Sequence, residues 1–294
     1  MTNKLLILAA FILSFTIIDQ AQDATTNAPL NQGGMALSPA RFELEMKPGT
    51  ETTVVVNLDY HATGGATQPT RIVATLNDWT ITKDGRVEYY RANSQANSAS
   101  SWLIYTPGEA AVTPGTVHQI RVTILVPQNA TPGDHLTALI IEQRPETLKY
   151  EQNVRQMIVR YRMASVFYIK VPGLTKHGSV ENLYAESTPN GIVVTPTLKN
   201  EGNSMIRPLA SLKVLDAEGK TVADLPEIEP LPILADSQMK QAVRIDKTLA
   251  PGAYTVKYRI DFQDGGKAIE GITDLVVKPA VPQIASTDKA PKKP

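Results

Sequence analysis

The sequence predicts an all-β protein made of two β-sandwich domains in tandem, and three observations favour this fold class. Apolar and polar residues alternate along many short segments, which is typical of half-buried strands. Pro-Gly pairs recur between these segments, where proline fixes φ and glycine accepts positive φ, as turns require. The length of 294 residues exceeds one ordinary domain and is too short for three. Short strands with frequent turns are typical of immunoglobulin-like sandwiches.

The first predicted domain covers residues 35–173. In the segment 41–46, the apolar residues Phe42, Leu44 and Met46 alternate with Arg41, Glu43 and Glu45. The same period of two recurs in segments 54–60 and 119–126. This period indicates strands that bury one face and expose the other to solvent.

The second predicted domain covers residues 174–278, after a boundary at the Pro172-Gly173 pair. Its predicted strands are 191–199, 209–215, 239–245, 254–262 and 272–277. Asp216–Lys220 is expected to form a hairpin turn, and the segment starting at Pro251 a turn into a strand. We find no helical periodicity outside the N-terminal segment.

The chain ends predict export. Lys4 precedes a nearly unbroken apolar run of 14 residues, Leu5–Ile18, which is too short to span a bilayer comfortably and fits a secretory signal over residues 1–21. An uncleaved N-terminal anchor is the alternative. We expect residues 22–34 and the Pro/Lys-rich tail 279–294 to be disordered. The predicted location is the periplasm, with no transmembrane segment once the signal is removed.

Composition excludes several classes of function. The 29 basic and 29 acidic residues give a net charge of zero, so no overall field favours nucleic acid as a partner. The chain has no cysteine. Thiol catalysis, cysteine-ligated metals, disulfides and lipidation of an N-terminal cysteine are therefore excluded.

Candidate catalytic residues are few. The histidines at 61, 118, 135 and 177 lack metal-ligand spacing, although His118 and His135 could meet across a sheet. The Asp264–Lys267 segment is predicted to be a hairpin turn and not a calcium site. Trp79 and Trp102 are expected to be core residues and not sugar-stacking ones. The sequence therefore predicts no enzyme, no metal and no cofactor.

One segment, 156–170, predicts an unusually long strand of 15 residues. Its alternating faces carry Met157, Val159, Tyr161 and Met163 on one side, and Ile158, Arg160, Arg162, Ala164 and Val166 on the other. From Lys149 to Lys170, two lysines and three arginines face one glutamate, a net charge of +4. The strand either buries one face within its own sandwich or lies at an edge and pairs with another chain.

An ordered set of motifs in residues 35–173 resembles the PapD-like periplasmic chaperones of the chaperone–usher pathway. The motifs, in chain order, are Ser38-Pro39-Ala40-Arg41-Phe42, the run 101–107, Thr113-Pro114-Gly115, Arg121-Val122, Val126-Pro127, the run 132–135 and the aromatic-basic-proline close at 166–172. Residues 174–278 resemble only a generic immunoglobulin-like domain.

The resemblance implies a mechanism for binding a client protein. Members of that family donate the last strand of their first domain to an incomplete pilin subunit, and two basic residues bind the C-terminal carboxylate of the subunit. Arg41 matches the first of these residues. Arg162 is the choice for the second, with Arg160 as its alternative. The donated side chains would be those of Met157, Val159, Tyr161 and Met163.

Two functions from different classes follow. The first is a non-enzymatic chaperone of exported pilin-like or envelope subunits, which the resemblance links to an outer-membrane usher as a further partner. The alternative is a structural or adhesive immunoglobulin-like envelope protein, bound to another surface protein or to cell-wall glycan. The tail favours this alternative, because its three lysines against one aspartate could contact an anionic polymer. For Arg41, an ordinary exposed strand arginine is the competing interpretation.

Overall fold

The structure, a computed structural model, describes residues 34–61, 68–144 and 160–279. Within these ranges it has β-strands, one 3-10 turn at Ser100–Trp102 and no α-helix, so no helix there could cross a membrane. The predicted signal 1–21, residues 22–33 of the segment predicted to be disordered, and the tail from residue 280 lie outside the described residues. The prediction of disorder at Gly34 is wrong, because Gly34 is buried in the first strand. The strands of the first sandwich are β1 (Gly34–Ser38), β2 (Arg41–Glu45), β3 (Glu51–His61), β4 (Thr70–Ile81), β5 (Val87–Arg91), β6 (Leu103–Thr106), β7 (Glu109–Val112), β8 (Thr116–Leu125), β9 (Gly133–Gln143) and β10 (Arg162–Val171).

These ten strands form two facing sheets. One has the order β1-β3-β8-β6, and the other has the order β2-β10-β9-β4-β5, with β7 pairing with β4. The alternation seen in the sequence directs one face of each sheet inward, where Leu58, Ile120 and Phe167 are completely buried. Strands β2 and β10 are parallel, whereas the other pairs in these two sheets are antiparallel.

The second sandwich has its own two sheets and its own core. Its strands are β11 (Gly178–Thr188), β12 (Gly191–Asn200), β13 (Leu209–Leu215), β14 (Thr221–Ile228), β15 (Ser237–Lys240), β16 (Val243–Ile245), β17 (Gly252–Asp261) and β18 (Ile269–Val277). The sheets are β11-β12-β15, with β16 also on β12, and β14-β13-β17-β18. Tyr258, Leu198 and Ile206 are fully buried between them. The prediction of two tandem immunoglobulin-like sandwiches is confirmed.

Two strand predictions need correction. The segment 239–245 forms two short strands, β15 and β16, because each pairs separately with β12. In the described part of the predicted 15-residue strand 156–170, residues 160 and 161 are not in a strand, and β10 starts at Arg162 and continues to Val171. Arg160 precedes this strand, and residues 156–159 lie outside the described residues.

The two candidate histidines also require correction. His118 lies on β8 and His135 on β9, which belong to different sheets, so the prediction that they could meet across one sheet is wrong. The ring of His135 instead lies 4.3 Å from that of Trp102, measured between centroids. Trp79 and Trp102 are both buried, as predicted.

The predicted turns are present. Asp216 and Lys220 close a hairpin through a backbone hydrogen bond of 3.0 Å, and β17 begins at Gly252, directly after Pro251. The Asp264–Lys267 segment connects β17 to β18, and Gly265 adopts a φ of +88° there. The Asp264 carboxylate accepts hydrogen bonds from the backbone N–H groups of Gly178 and Gly266.

A buried carboxylate organises the polar loop 92–101. Asp78 is 1% exposed and accepts hydrogen bonds from four groups, the backbone N–H of Ser94 and Gln95 and the hydroxyls of Ser98 and Ser100, at 2.6–2.8 Å. Burial alone would raise the pKa of Asp78, but these hydrogen bonds outweigh it and lower the pKa. The loop is therefore held against the sheet by an ionised carboxylate.

The two sandwiches contact each other directly. Met205 and Leu234 of the second sandwich pack on Trp79, Leu136 and Tyr168, which lie on the outer face of the first. Asp134, at the start of β9, accepts hydrogen bonds from the Ser204 hydroxyl (3.0 Å) and the Met205 backbone N–H (2.7 Å). This apolar contact and this carboxylate fix the second sandwich over one end of the β2-β10-β9-β4-β5 sheet.

Candidate functional site

The candidate site lies where strands β2 and β10 meet the second sandwich. In the parallel register of these strands, Arg41 is opposite Val166, Glu43 opposite Tyr168, and Glu45 opposite Lys170. Side chains of alternate strand residues share a face. Because Val166 and Tyr168 pack in the cluster that contains Met205, this face is the outer one, directed towards the second sandwich.

Three basic side chains converge on the single carboxylate of Glu43. The Nε of Arg41 is 3.2 Å from Oε1, the Nζ of Lys170 is 2.8 Å from Oε2, and a terminal guanidinium nitrogen of Arg207 is 2.7 Å from Oε1. Arg207 belongs to the second sandwich, so this group of four residues, the basic cluster, bridges the two domains. Three cations around one anion leave the cluster with a net charge of +2.

Partial exposure makes the cluster accessible to solvent. The side chain of Arg41 is 51% exposed, that of Arg207 39%, that of Glu43 27% and that of Lys170 21%. Partial burial would raise the pKa of Glu43, but hydrogen bonds from Lys170 and then Arg207 outweigh it, so the pKa lies below its ordinary value. Beneath the cluster, burial raises the pKa of Tyr168 to about 12, so its phenol stays neutral.

The predicted basic residues are not all in this cluster. Arg41 is a member, whereas Arg162 is opposite Glu142 of β9 and lies four residues before Val166, which is about 13 Å along the strand. Arg160 is exposed and lies before the first residue of β10. Sequence reasoning missed Lys170 and Arg207. Lys170 could have been found by strand parity, since it shares a face with Arg162, but Arg207 is 164 residues from Glu43 and gave no local signal.

The structure also shows which part of β10 is available to another chain. Strand β2 pairs with residues Val166–Lys170, and the Val166 N–H donates to the carbonyl of Ala40. Among the described residues, Arg162 and Ala164 have no strand neighbour on that same side. With respect to the described residues, the predicted edge strand is therefore open only in its first part and covered by β2 in the rest.

The predicted donor side chains fall into two groups. Tyr161 and Met163 are partly buried and pack against the core of their own sandwich. Met157 and Val159 lie outside the described residues. In the described part of the chain, no group of three or more histidine, aspartate or glutamate side chains could hold a metal ion.

No protein-family model matches this chain, and a search of curated proteins found no match. The solved structures that it resembles include fimbrial chaperones and their complexes. The class 5 fimbriae chaperone CfaA has 11% identity over 83% of this chain and 100% of its own, with a TM-score of 0.39. A chain of the chaperone–tip adhesin complex of CFA/I fimbriae biogenesis has 9% identity over 81% and 98%, with a TM-score of 0.43.

A chain of the CsuC–CsuE chaperone–tip adhesion subunit pre-assembly complex from the archaic chaperone-usher Csu pili of Acinetobacter baumannii has 15% identity, covers 82% of this chain and 98% of its own, and has a TM-score of 0.40. Identities and TM-scores this low transfer no residue role from those proteins.

Proposed function

We propose that this protein is a non-enzymatic periplasmic chaperone of exported pilin-like or envelope subunits. It binds a client by pairing a client strand with the open part of β10, and it holds the C-terminal carboxylate of the client at basic residues of the cleft. The observation that carries the proposal is the arrangement on one sheet. An open strand edge at Arg162–Ala164 continues directly into the part of β10 that borders the basic cluster.

Backbone geometry supports the pairing step. Within a strand, the N–H and C=O of one residue point to the same side, and they alternate along the chain. Because the Val166 N–H points towards β2, the N–H groups of Ala164 and Arg162 point towards the open side. A client strand can therefore pair there without disturbing the register between β10 and β9. Such pairing supplies affinity, while side chains at alternate positions supply specificity.

The carboxylate step follows from charge and geometry. Arg41, on β2, is opposite Val166 at the start of the covered part of the edge, Lys170 lies on β10 at its other end, and Arg207 contacts Glu43 between them from the second sandwich. Guanidinium and ammonium groups form short, strong hydrogen bonds with carboxylates. In this proposal Arg41 remains the principal anchor, and Lys170 and Arg207 complete the site. Arg162, beside the open edge, would contact the body of the client.

The test is capture of periplasmic clients by the mature protein, followed by native mass spectrometry of the complexes. We expect a one-to-one complex with a small, β-rich exported protein. Arg41→Ala should reduce its yield at least tenfold, and Arg162→Ala should reduce it less. Arg121→Ala is the matched control, because Arg121 is an exposed strand arginine on β8, in the other sheet.

A backbone variant tests strand pairing independently of charge. Ala164→Pro removes an N–H that points to the open side, and edge strands tolerate proline at such positions. We expect client capture to be lost while the circular dichroism spectrum stays that of the wild type. Equal capture by Ala164→Pro, or recovery of the protein only with cell-wall fragments, would contradict the chaperone proposal and favour a structural envelope role.

A further inference from the structure

We infer that Glu43 is an internal occupant of the carboxylate site, and that a client carboxylate must displace it in order to bind. The inference rests on the proposed function and adds a regulatory step to the same site. In the free protein, the position of the ligand is filled by the chain's own carboxylate. Binding is then an exchange of one carboxylate for another and not the filling of an empty site.

The contacts of Glu43 match those expected of a bound carboxylate. Both oxygens accept hydrogen bonds from cations, Oε1 from Arg207 and Oε2 from Lys170, and the Nε of Arg41 forms an ion pair with Oε1 at 3.2 Å. Lys170 is the least exposed of the three cations at 21%, and its ammonium group is already directed at Glu43. An incoming carboxylate can first contact the half-exposed Arg41. It can form an ion pair with Lys170 only if Glu43 releases the ammonium group of Lys170.

The other charged groups on this face do not replace Glu43. Glu45 is opposite Lys170 in the strand register but makes no ion pair among the described residues. Asp134 is 4% exposed and already accepts hydrogen bonds from Ser204 and Met205. Removing the charge of Glu43 therefore leaves Arg41, Lys170 and Arg207 without their shared anion.

Exchange is also energetically accessible. Partly exposed ion pairs contribute little to stability, typically about 0.2–1 kcal/mol each, so Glu43 can be displaced by a ligand that brings further contacts. Since Glu43 is tethered next to the cations, it competes at a high effective concentration. A ligand that has a carboxylate but no strand to pair with β10 would compete poorly with Glu43. The internal occupant therefore favours ligands that offer both a carboxylate and a strand.

The experiment compares Glu43→Gln with the matched control Glu45→Gln. Both variants remove one negative charge from the same face of β2, but only Glu43 contacts the cations. The probe is a 12-residue peptide of alternating valine and serine, prepared with a free C-terminal carboxylate and as the C-terminal amide. Affinity is measured by isothermal titration calorimetry with the full mature protein at low salt.

We expect Glu43→Gln to bind the carboxylate peptide about tenfold more tightly than the wild type, the order of one charge-assisted contact. Glu45→Gln should behave as the wild type, and the three proteins should bind the amide equally. A second measurement uses the wild type alone. The carboxyl ¹³C resonance of Glu43 should shift when the carboxylate peptide is added and should stay in place with the amide.

The outcomes separate the inference from the function on which it rests. If the wild type prefers the carboxylate peptide and Glu43→Gln gives no gain, the internal occupant is wrong and the carboxylate site stands. If neither protein distinguishes carboxylate from amide, both are wrong. An unshifted Glu43 resonance in a saturated wild-type complex would also overturn the inference, whatever the variants do.

Discussion

Two carboxylates of the first sandwich hold the second, and they do so in opposite ways. Asp134 is buried, and its donors are neutral, the Ser204 hydroxyl and the Met205 backbone N–H. The side chain of Glu43 is 27% exposed; it accepts hydrogen bonds from the cations Lys170 and Arg207 and forms an ion pair with Arg41. Both contacts join the same two domains, but only the second is open to solvent and to competing anions.

The difference separates a structural contact from an exchangeable one. Among the described residues, the neutral donors buried beside Asp134 have no other acceptor, so losing that carboxylate would leave them unsatisfied. The cations around Glu43 can instead interact with water, with dissolved anions or with another carboxylate, at a small cost in free energy. A protein that must keep its domains aligned while binding a charged ligand can use the first contact for alignment and the second for the ligand.

The largest effect is expected for Asp134→Ala. The variant leaves the Ser204 hydroxyl and the Met205 N–H buried without an acceptor, and each such group costs about 1–3 kcal/mol. We therefore expect a loss of about 3 kcal/mol in the free energy of unfolding, measured by urea denaturation. Asp134→Asn, which keeps one acceptor oxygen, should lose less. A smaller loss for Asp134→Ala than for Glu43→Ala would reverse the comparison.

Asp78 is expected to give the next largest effect, because its four donors are also neutral. Asp78→Ala should cost about 2 kcal/mol, since the loop can open and hydrate part of what it loses. The folded-state pKa lies below the ordinary value of 3.8, so this stabilisation is complete above pH 3.8 and is lost as the pH falls through the folded-state pKa. The stability difference between wild type and variant should shrink over that acid range and stay constant from pH 5 to 7.

The contact between Glu43 and Arg207 should contribute much less. A double-mutant cycle with Glu43→Gln and Arg207→Gln is expected to give a coupling energy of about 0.5–1 kcal/mol at low salt. Because solvent ions reach this pair, 0.5 M NaCl should remove most of the coupling. The loss caused by Asp134→Ala should be the same at both salt concentrations. A salt-independent coupling at Glu43 would show that the basic cluster is as structural as the Asp134 contact.

The smallest effect is expected at Arg162. Its side chain is exposed at the start of β10, opposite Glu142, so Arg162→Ala should change the free energy of unfolding by less than about 0.5 kcal/mol. Thermal denaturation followed by circular dichroism measures this change. A larger loss would mean that Arg162 supports the fold, and its effect on client capture could then not be attributed to binding.

Sequence reasoning predicted the fold better than the site. The alternation in segments 41–46 and 119–126 predicted the bounds of β2 and β8 to within a few residues. It could do so because a strand that buries one face has apolar residues at every second position of its own sequence. The site was found only in part. Arg41 was selected from a motif, but its neighbours on the face depend on the register between β2 and β10. Register is set by pairing across the sheet and is not visible in either strand alone.

The sequence by itself determined the two sandwiches, most of their turns and the outward position of Arg41, since side-chain period and turn chemistry act between near neighbours in the chain. Only the tertiary structure decided that β2 covers part of β10, that Lys170 and not Arg162 joins Arg41, and that Arg207 reaches Glu43 across 164 residues. The physical reason is that the local sequence around a charged residue does not indicate which opposite charge that residue will contact in the folded protein. An ion pair forms wherever folding places two opposite charges within reach, and folding is directed mainly by the burial of apolar faces.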